Sequence, residues 1–131
     1  MKSFVMLAVV ALCALVAQPA RPQENKEQDM NFWMKKKLDY SQAILSGLAT
    51  ADFDAIGKNA TSMDRLSKLE KFVRRSDAEE YRAQLRVFLA ANKDLMTAAE
   101  KKNIDGATLA FTQMTLSCVN CHKALRDEKK K

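Results

Sequence analysis

Glycine and proline are scarce in this chain, which has three glycines and two prolines among its 131 residues. Strand-rich folds of this size need many tight turns, and these two residues are the ones that commonly build them. Hydrophobic residues make up 47% of the sequence, and the remainder includes many good helix formers. The composition therefore predicts an all-α protein, and the length suits one compact domain with a single core.

Histidine and cysteine are also scarce. His122 is the only histidine, and Cys13, Cys118 and Cys121 are the only cysteines. The chain also lacks a glycine-rich phosphate loop and a serine in a nucleophile context, so no hydrolytic constellation is present. We therefore expect a protein that is not an enzyme.

The N-terminus has the layout of a secretory signal peptide. Lys2 precedes an uncharged run at residues 4–17, which is followed by a polar stretch. The run is too short to span a bilayer, because a spanning helix needs about 20 apolar residues. We predict that residues 1–20 are a signal peptide, cleaved after Ala17 or after Ala20, and that the mature protein is periplasmic or otherwise exported, without a stable membrane span.

Four amphipathic segments follow a polar leader at residues 21–29. In each segment, apolar residues recur every three or four positions, which is the helical period. The expected helices cover about residues 30–49, 52–73, 76–102 and 106–126. Four helices with short connections favour an antiparallel four-helix bundle over residues 30–127, followed by a lysine-rich tail at 128–131.

The same period predicts the side chains that line the core. In the first helix they are Met34, Leu38, Ser41, Leu45 and Leu48. In the second they are Phe53, Ile56, Ala60, Met63, Leu66, Leu69 or Glu70, and Val73. The third contributes Tyr81, Leu85, Phe88, Asn92, Leu95 and Ala99, and the fourth contributes Ala107, Phe111, Met114, Cys118, Cys121 and Leu125.

Three helix starts carry capping residues. Asp52 is a candidate N-cap for the second helix, and Asp105 is one for the fourth. Ser76 followed by Glu79 has the spacing of a capping box for the third.

The strongest motif is Cys118-Val119-Asn120-Cys121-His122. On a helix, this spacing projects both thiols and the imidazole from one side. Each thiol can add to a vinyl group of haem while the histidine reaches the iron as the proximal ligand. A zinc site would need a second Cys/His pair, and a thioredoxin-like pair would need a βαβ setting, and the sequence offers neither. The motif therefore predicts one covalent haem c with its iron.

This motif lies near the C-terminus after three amphipathic segments, and in that respect the chain resembles the class II c-type cytochromes, the cytochrome c′ family. The resemblance covers residues 30–126 and is most specific at 118–126. It implies a haem in the core of the bundle near the C-terminal helix. Arg126 matches a basic residue that members often carry four positions after the haem histidine, whereas Leu125 departs from the aromatic residue frequent just before it.

A single histidine excludes coordination of the iron by two histidines of this chain. The resemblance implies that the first helix faces the other side of the haem, where Met34 is our candidate sixth ligand and Met30 the next. A thioether ligand favours an electron carrier, whereas a five-coordinate iron in an apolar pocket admits NO or CO. Ordinary core packing is the alternative for Met34. We expect single-electron transfer, with gas binding as the alternative function.

The formal net charge of the chain is +6. Such a basic excess can steer the encounter with an acidic redox partner, although most charges of this kind are solvated helix surface. No aromatic residues are interleaved with the basic clusters, so nucleic-acid binding has little support. The family resemblance also implies a homodimer formed through helix faces.

Overall fold

The computed structural model describes residues 23–74 and 79–128, and these ranges are helical except for two short turns. The helices are α1 (Gln23–Thr50), α2 (Phe53–Arg74), α3 (Glu79–Glu100) and α4 (Ile104–Glu128). The described ranges contain no strand, so the all-α prediction is confirmed. The predicted signal peptide and residues 129–131 of the tail lie outside the described residues.

Helix α1 begins at Gln23, so the part of the predicted polar leader from Gln23 onward is helical. The chain forms two compact units, with the boundary between Met30 and Asn31. The helix packing that follows is that of the second unit.

Helices α1 and α2 are antiparallel. Lys37 of α1 pairs with Glu70 of α2, whereas the later Gly47 meets the earlier Ile56. A Cβ atom at Gly47 would lie only 2.9 Å from Cγ1 of Ile56, closer than van der Waals contact permits. Glycine therefore allows the two helix backbones to approach each other near their connection.

Helix α3 is antiparallel to α2 and packs against both α2 and α4. Toward the start of α3, the Tyr81 hydroxyl donates to Glu70 Oε1 at 3.5 Å. Farther along α3, the Asn92 side-chain amide donates to the carbonyl of Ala60 at 2.9 Å. Because a short turn joins α3 to α4, these two are antiparallel as well. The antiparallel four-helix bundle is confirmed.

The α1–α2 turn contains a residue in the left-handed backbone conformation that ends α1. Ala51 has a positive φ of 54°, and the amide of Asp52 donates to the carbonyl of Gly47 at 2.9 Å. This is the Schellman arrangement that ends many helices. The Asp52 carboxylate then accepts from the amide of Ala55 at 2.9 Å, so Asp52 is the N-cap of α2, as predicted.

The α3–α4 turn repeats this design. Lys102 has a positive φ of 51°, and the amide of Asn103 donates to the carbonyl of Ala98 at 2.9 Å. Asn103 Oδ1 accepts from the amide of Gly106 at 2.9 Å. Asn103 therefore both ends α3 and caps α4, which begins two residues before Gly106. The predicted cap at Asp105 is wrong. The predicted capping box at Ser76 lies outside the described residues.

The two turns lie at one end of the bundle, which we call the turn end. The opposite end holds residues 32–37 of α1, the start of α3 and the Cys118–His122 motif, and we call it the motif end.

The core matches the sequence pattern best in α3. All six residues predicted to face inward are buried, and they are Tyr81, Leu85, Phe88, Asn92, Leu95 and Ala99. In α2, Glu70 is fully buried and Leu69 is 53% exposed, which settles the alternative that the pattern left open. In α4, Ala107 and Met114 are fully buried, whereas the side chain of Leu125 lies outside the description.

The predicted buried face of α1 is wrong at two positions. Leu38 and Leu45 are 57% and 56% exposed, and the fully buried residue is Ile44. Tyr40 and Leu48 pack partly buried against the core. Helix α1 carries apolar residues on two adjacent faces, and their period alone does not show which face meets the other helices.

Candidate cofactor site at the motif end

The motif lies in the C-terminal half of α4. Cys118 and Cys121 are partly buried and pack against the hydrophobic core. Both are thiols and not a disulfide. His122 is exposed on the same side of the helix, next to the cysteines. The prediction that one helix carries all three is confirmed, and the site offers two inward thiols beside an accessible imidazole.

Burial raises the pKa of the Cys118 thiol above its ordinary value. The Lys37 ammonium of α1 opposes this shift, because a nearby positive charge favours the thiolate, whereas Cys121 adds to it. Lys37 therefore lies within electrostatic reach of the first motif cysteine. This interaction relates α1 to the motif on α4.

Lys37 also forms an ion pair inside the bundle. Its ammonium lies 2.5 Å from Oε2 of Glu70, and the two side chains are 15% and 0% exposed. The same ammonium lies 5.3 Å from the centre of the Phe88 ring, and Tyr81 contacts the other oxygen of Glu70. The motif end thus has a charged group in its interior that is held by α1, α2 and α3.

The sequence analysis assigned most of the basic residues to solvated helix surface and did not predict the inward position of Lys37. A signal was available, because Lys37, Tyr40, Ile44 and Gly47 follow one another at steps of three or four residues. Those residues form the inner face of α1, and the sequence places a lysine on it.

The remaining predicted site residues occupy different surroundings. Met34 is half-buried on α1, one turn before Lys37, and so it lies at the level of the motif. Arg126 is exposed, one turn beyond His122. The side chain of Met30 lies outside those described.

Within residues 23–74 and 79–128, no three His, Cys, Asp or Glu side chains are grouped so that they could hold a metal ion by themselves. The two thiols and the imidazole suit haem c instead, which brings its own iron and four nitrogen ligands. The chemistry of this donor set therefore fits the group that the sequence predicts.

A solvent-open groove of about 410 Å³ lies on the other side of α4, toward α3. Its lining includes Asn120 and Lys123, together with Gln84, whose amide donates to Glu80 at 2.8 Å. None of the predicted haem-binding residues lines it. The groove is thus separate from the candidate site.

No protein-family model matches the sequence, and neither a curated protein nor a solved structure is significantly similar to it. Among the described residues, no helix has the length and apolar character needed to cross a membrane.

Proposed function

We propose that this chain is an exported mono-haem c-type cytochrome that transfers single electrons. The observation that supports this most directly is the placement of two thiols and one imidazole on one side of α4, with both thiols packed against the core. Cys118 and Cys121 would hold the haem through thioether bonds, and His122 would be its proximal ligand. The bound haem would supply an iron that alternates between the ferric and ferrous states.

Met34 is the proposed sixth ligand. Its half-buried position on α1, one turn from Lys37, supports this role, since Lys37 reaches Cys118 electrostatically. A methionine ligand raises the reduction potential and closes the site to exogenous ligands, which suits an electron carrier. Met34 does not belong to the fully buried set of the core, so packing alone gives a weaker account of it.

An acidic redox partner fits the charges around the motif end. Exposed cationic side chains surround it on all four helices, namely Lys35, Lys36, Lys71, Arg82, Arg86, Lys123 and Arg126. Among the side chains that the structure describes, exposed acidic residues in the same region are fewer, namely Asp39, Glu79 and Glu80. A positive field of this kind accelerates association with a negatively charged partner at low ionic strength.

The test is to produce the full chain in a host that attaches haem c, and then to measure its mass and its absorption spectrum. We expect the mass of one covalent haem and a low-spin reduced spectrum. Met34→Ala should convert the spectrum to high spin, because the iron loses its sixth ligand. Met96→Ala is the matched control, since Met96 is also partly buried but lies near the turn end.

A mass without haem contradicts the proposed function. A high-spin wild-type spectrum with rapid CO binding to the ferrous form would instead support the gas-binding alternative.

A further inference from the structure

The ion pair between Lys37 and Glu70 is unusual among the ion pairs of the described residues. Lys36–Asp39 and Lys68–Asp64 are partly open to water, whereas the Glu70 side chain is fully buried and that of Lys37 nearly so. Desolvating two charges costs free energy that their attraction often does not recover, and an apolar pair of similar volume is frequently as stable. Stability alone therefore gives a poor account of this pair.

The position of the pair near the motif explains its presence better than stability does. The Lys37 ammonium lies 5.3 Å from the centre of the Phe88 ring, and Phe88 belongs to the core cluster against which Cys118 and Cys121 pack. Lys37 also acts electrostatically on Cys118, which carries one of the proposed thioether bonds. Water screens charges weakly in the interior of a protein, so a buried charge acts strongly on other charges nearby. Any group bound through Cys118 would lie in the field of this pair.

We propose that the buried Lys37–Glu70 pair sets the reduction potential of the haem held at Cys118 and Cys121. This inference rests on the proposed function. Reduction adds one electron, supplied by an electrode, and lowers the charge of the haem by one. The Lys37 cation favours the reduced state, and the Glu70 carboxylate opposes it.

Lys37 and Glu70 are positioning residues in this scheme, since neither is a proposed ligand of the iron. Glu70 holds the lysine beside the motif, and the Tyr81 hydroxyl and the Phe88 ring hold the pair. The Ser67 hydroxyl, which has no hydrogen-bond partner among the described residues, lies one turn before Glu70 on the buried face of α2. The interior of α2 is thus polar in this region.

The experiment measures the midpoint potential of the haem-loaded full chain at one pH in three variants. Glu70→Gln should raise the potential, because the lysine charge is no longer opposed. In the double variant Lys37→Met with Glu70→Gln, the potential should fall below that of Glu70→Gln alone, because both charges are gone. Asp64→Asn is the control, since it removes the carboxylate of a more exposed ion pair on the same helix, and it should leave the potential unchanged.

A purely structural role for the pair predicts a different pattern. The potential would then be unchanged in Glu70→Gln, or the double variant would keep the value of the single one, and either result overturns the inference.

A measurement on the wild-type protein covers the case in which a variant does not fold. With ¹³C-labelled glutamate, the infrared difference spectrum between oxidised and reduced protein should contain a shifted carboxylate band. Among the glutamates whose side chains the structure describes, Glu70 is the buried one, so its band should respond most strongly. Absence of any glutamate band contradicts the inference, whereas absence of covalent haem by mass contradicts the proposed function itself.

Discussion

The interiors of the two ends of the bundle differ in polarity. At the turn end, the core is made of alanines and of aliphatic side chains such as Ile44, Ile56 and Leu95, and these three are fully buried. At the motif end, the interior contains a buried ion pair and two partly buried thiols. The core of the turn end is therefore apolar, whereas the motif end has ionisable groups in its interior beside Tyr81, Leu85 and Phe88.

The turns reinforce this division. Each of the two connections at the turn end ends one helix and caps the next through a single residue, Asp52 or Asn103. Two such turns fix the helix pairs α1–α2 and α3–α4 locally. The motif end has no comparable turn among the described residues, and side chains from different helices hold it together instead.

The largest expected effect is at the motif end. Changing both Cys118 and Cys121 to Ser should abolish covalent haem attachment, because serine hydroxyls do not form thioether bonds. Mass spectrometry and the pyridine haemochrome spectrum would measure this. Val119→Ala is the matched control, since Val119 lies within the motif but is 55% exposed, and this variant should retain its haem. Covalent haem in the double serine variant would contradict the assignment of the motif.

At the turn end, the largest effect should follow Leu95→Ala. Leu95 is fully buried, and truncating such a residue leaves a cavity that costs about 2–5 kcal/mol in the free energy of unfolding. Urea unfolding followed by circular dichroism would measure the cost. Leu116→Ala removes the same atoms from a side chain that is 57% exposed, and should change stability by less than about 0.5 kcal/mol. Equal losses in the two variants would show that the core lies elsewhere.

The helices and their order could be predicted from the sequence because each depends on local patterns. The buried face of α3 follows from a single apolar stripe, but α1 has two adjacent stripes, and Leu38 and Leu45 belong to the exposed one. Which stripe is buried depends on the other helices. Lys37 was missed for the same reason, since it lies on the other stripe, which the packing of α1 places against Glu70 of α2.

The candidate site, too, could be predicted from the sequence only in part. The shared side of Cys118, Cys121 and His122 follows from their spacing alone, so the sequence was sufficient. The relation of Met34 to the motif depends on how α1 packs, and no local pattern contains that information. Long-range contacts are thus the part of the site that required the structure.

A smaller effect is expected at the α3–α4 turn. Asn103→Ala removes the side chain that caps α4, and should lower the free energy of unfolding by about 1 kcal/mol. Asp105→Ala should cost less, because Asp105 lies in the first turn of α4, where its charge interacts with the helix dipole. Equal or reversed costs in urea unfolding would restore Asp105 as the cap.

The smallest effect is a gain in stability at the α1–α2 turn. Ala51 has a φ of 54°, a left-handed conformation that disfavours residues with a Cβ atom. Ala51→Gly should therefore raise the free energy of unfolding by roughly 0.5–1 kcal/mol, since relief of strain exceeds the added flexibility of the unfolded chain.

Replacing alanine by glycine in a helix interior should lower the free energy of unfolding instead. Ala90 is exposed in the middle of α3, and Ala90→Gly should lower the free energy of unfolding by about 1 kcal/mol because glycine disfavours the helix. Comparing the two variants in one urea series separates backbone strain at the turn from the general cost of glycine. If both variants lose stability equally, the turn stores no strain, and the stabilisation of the turn end rests on its core and caps alone.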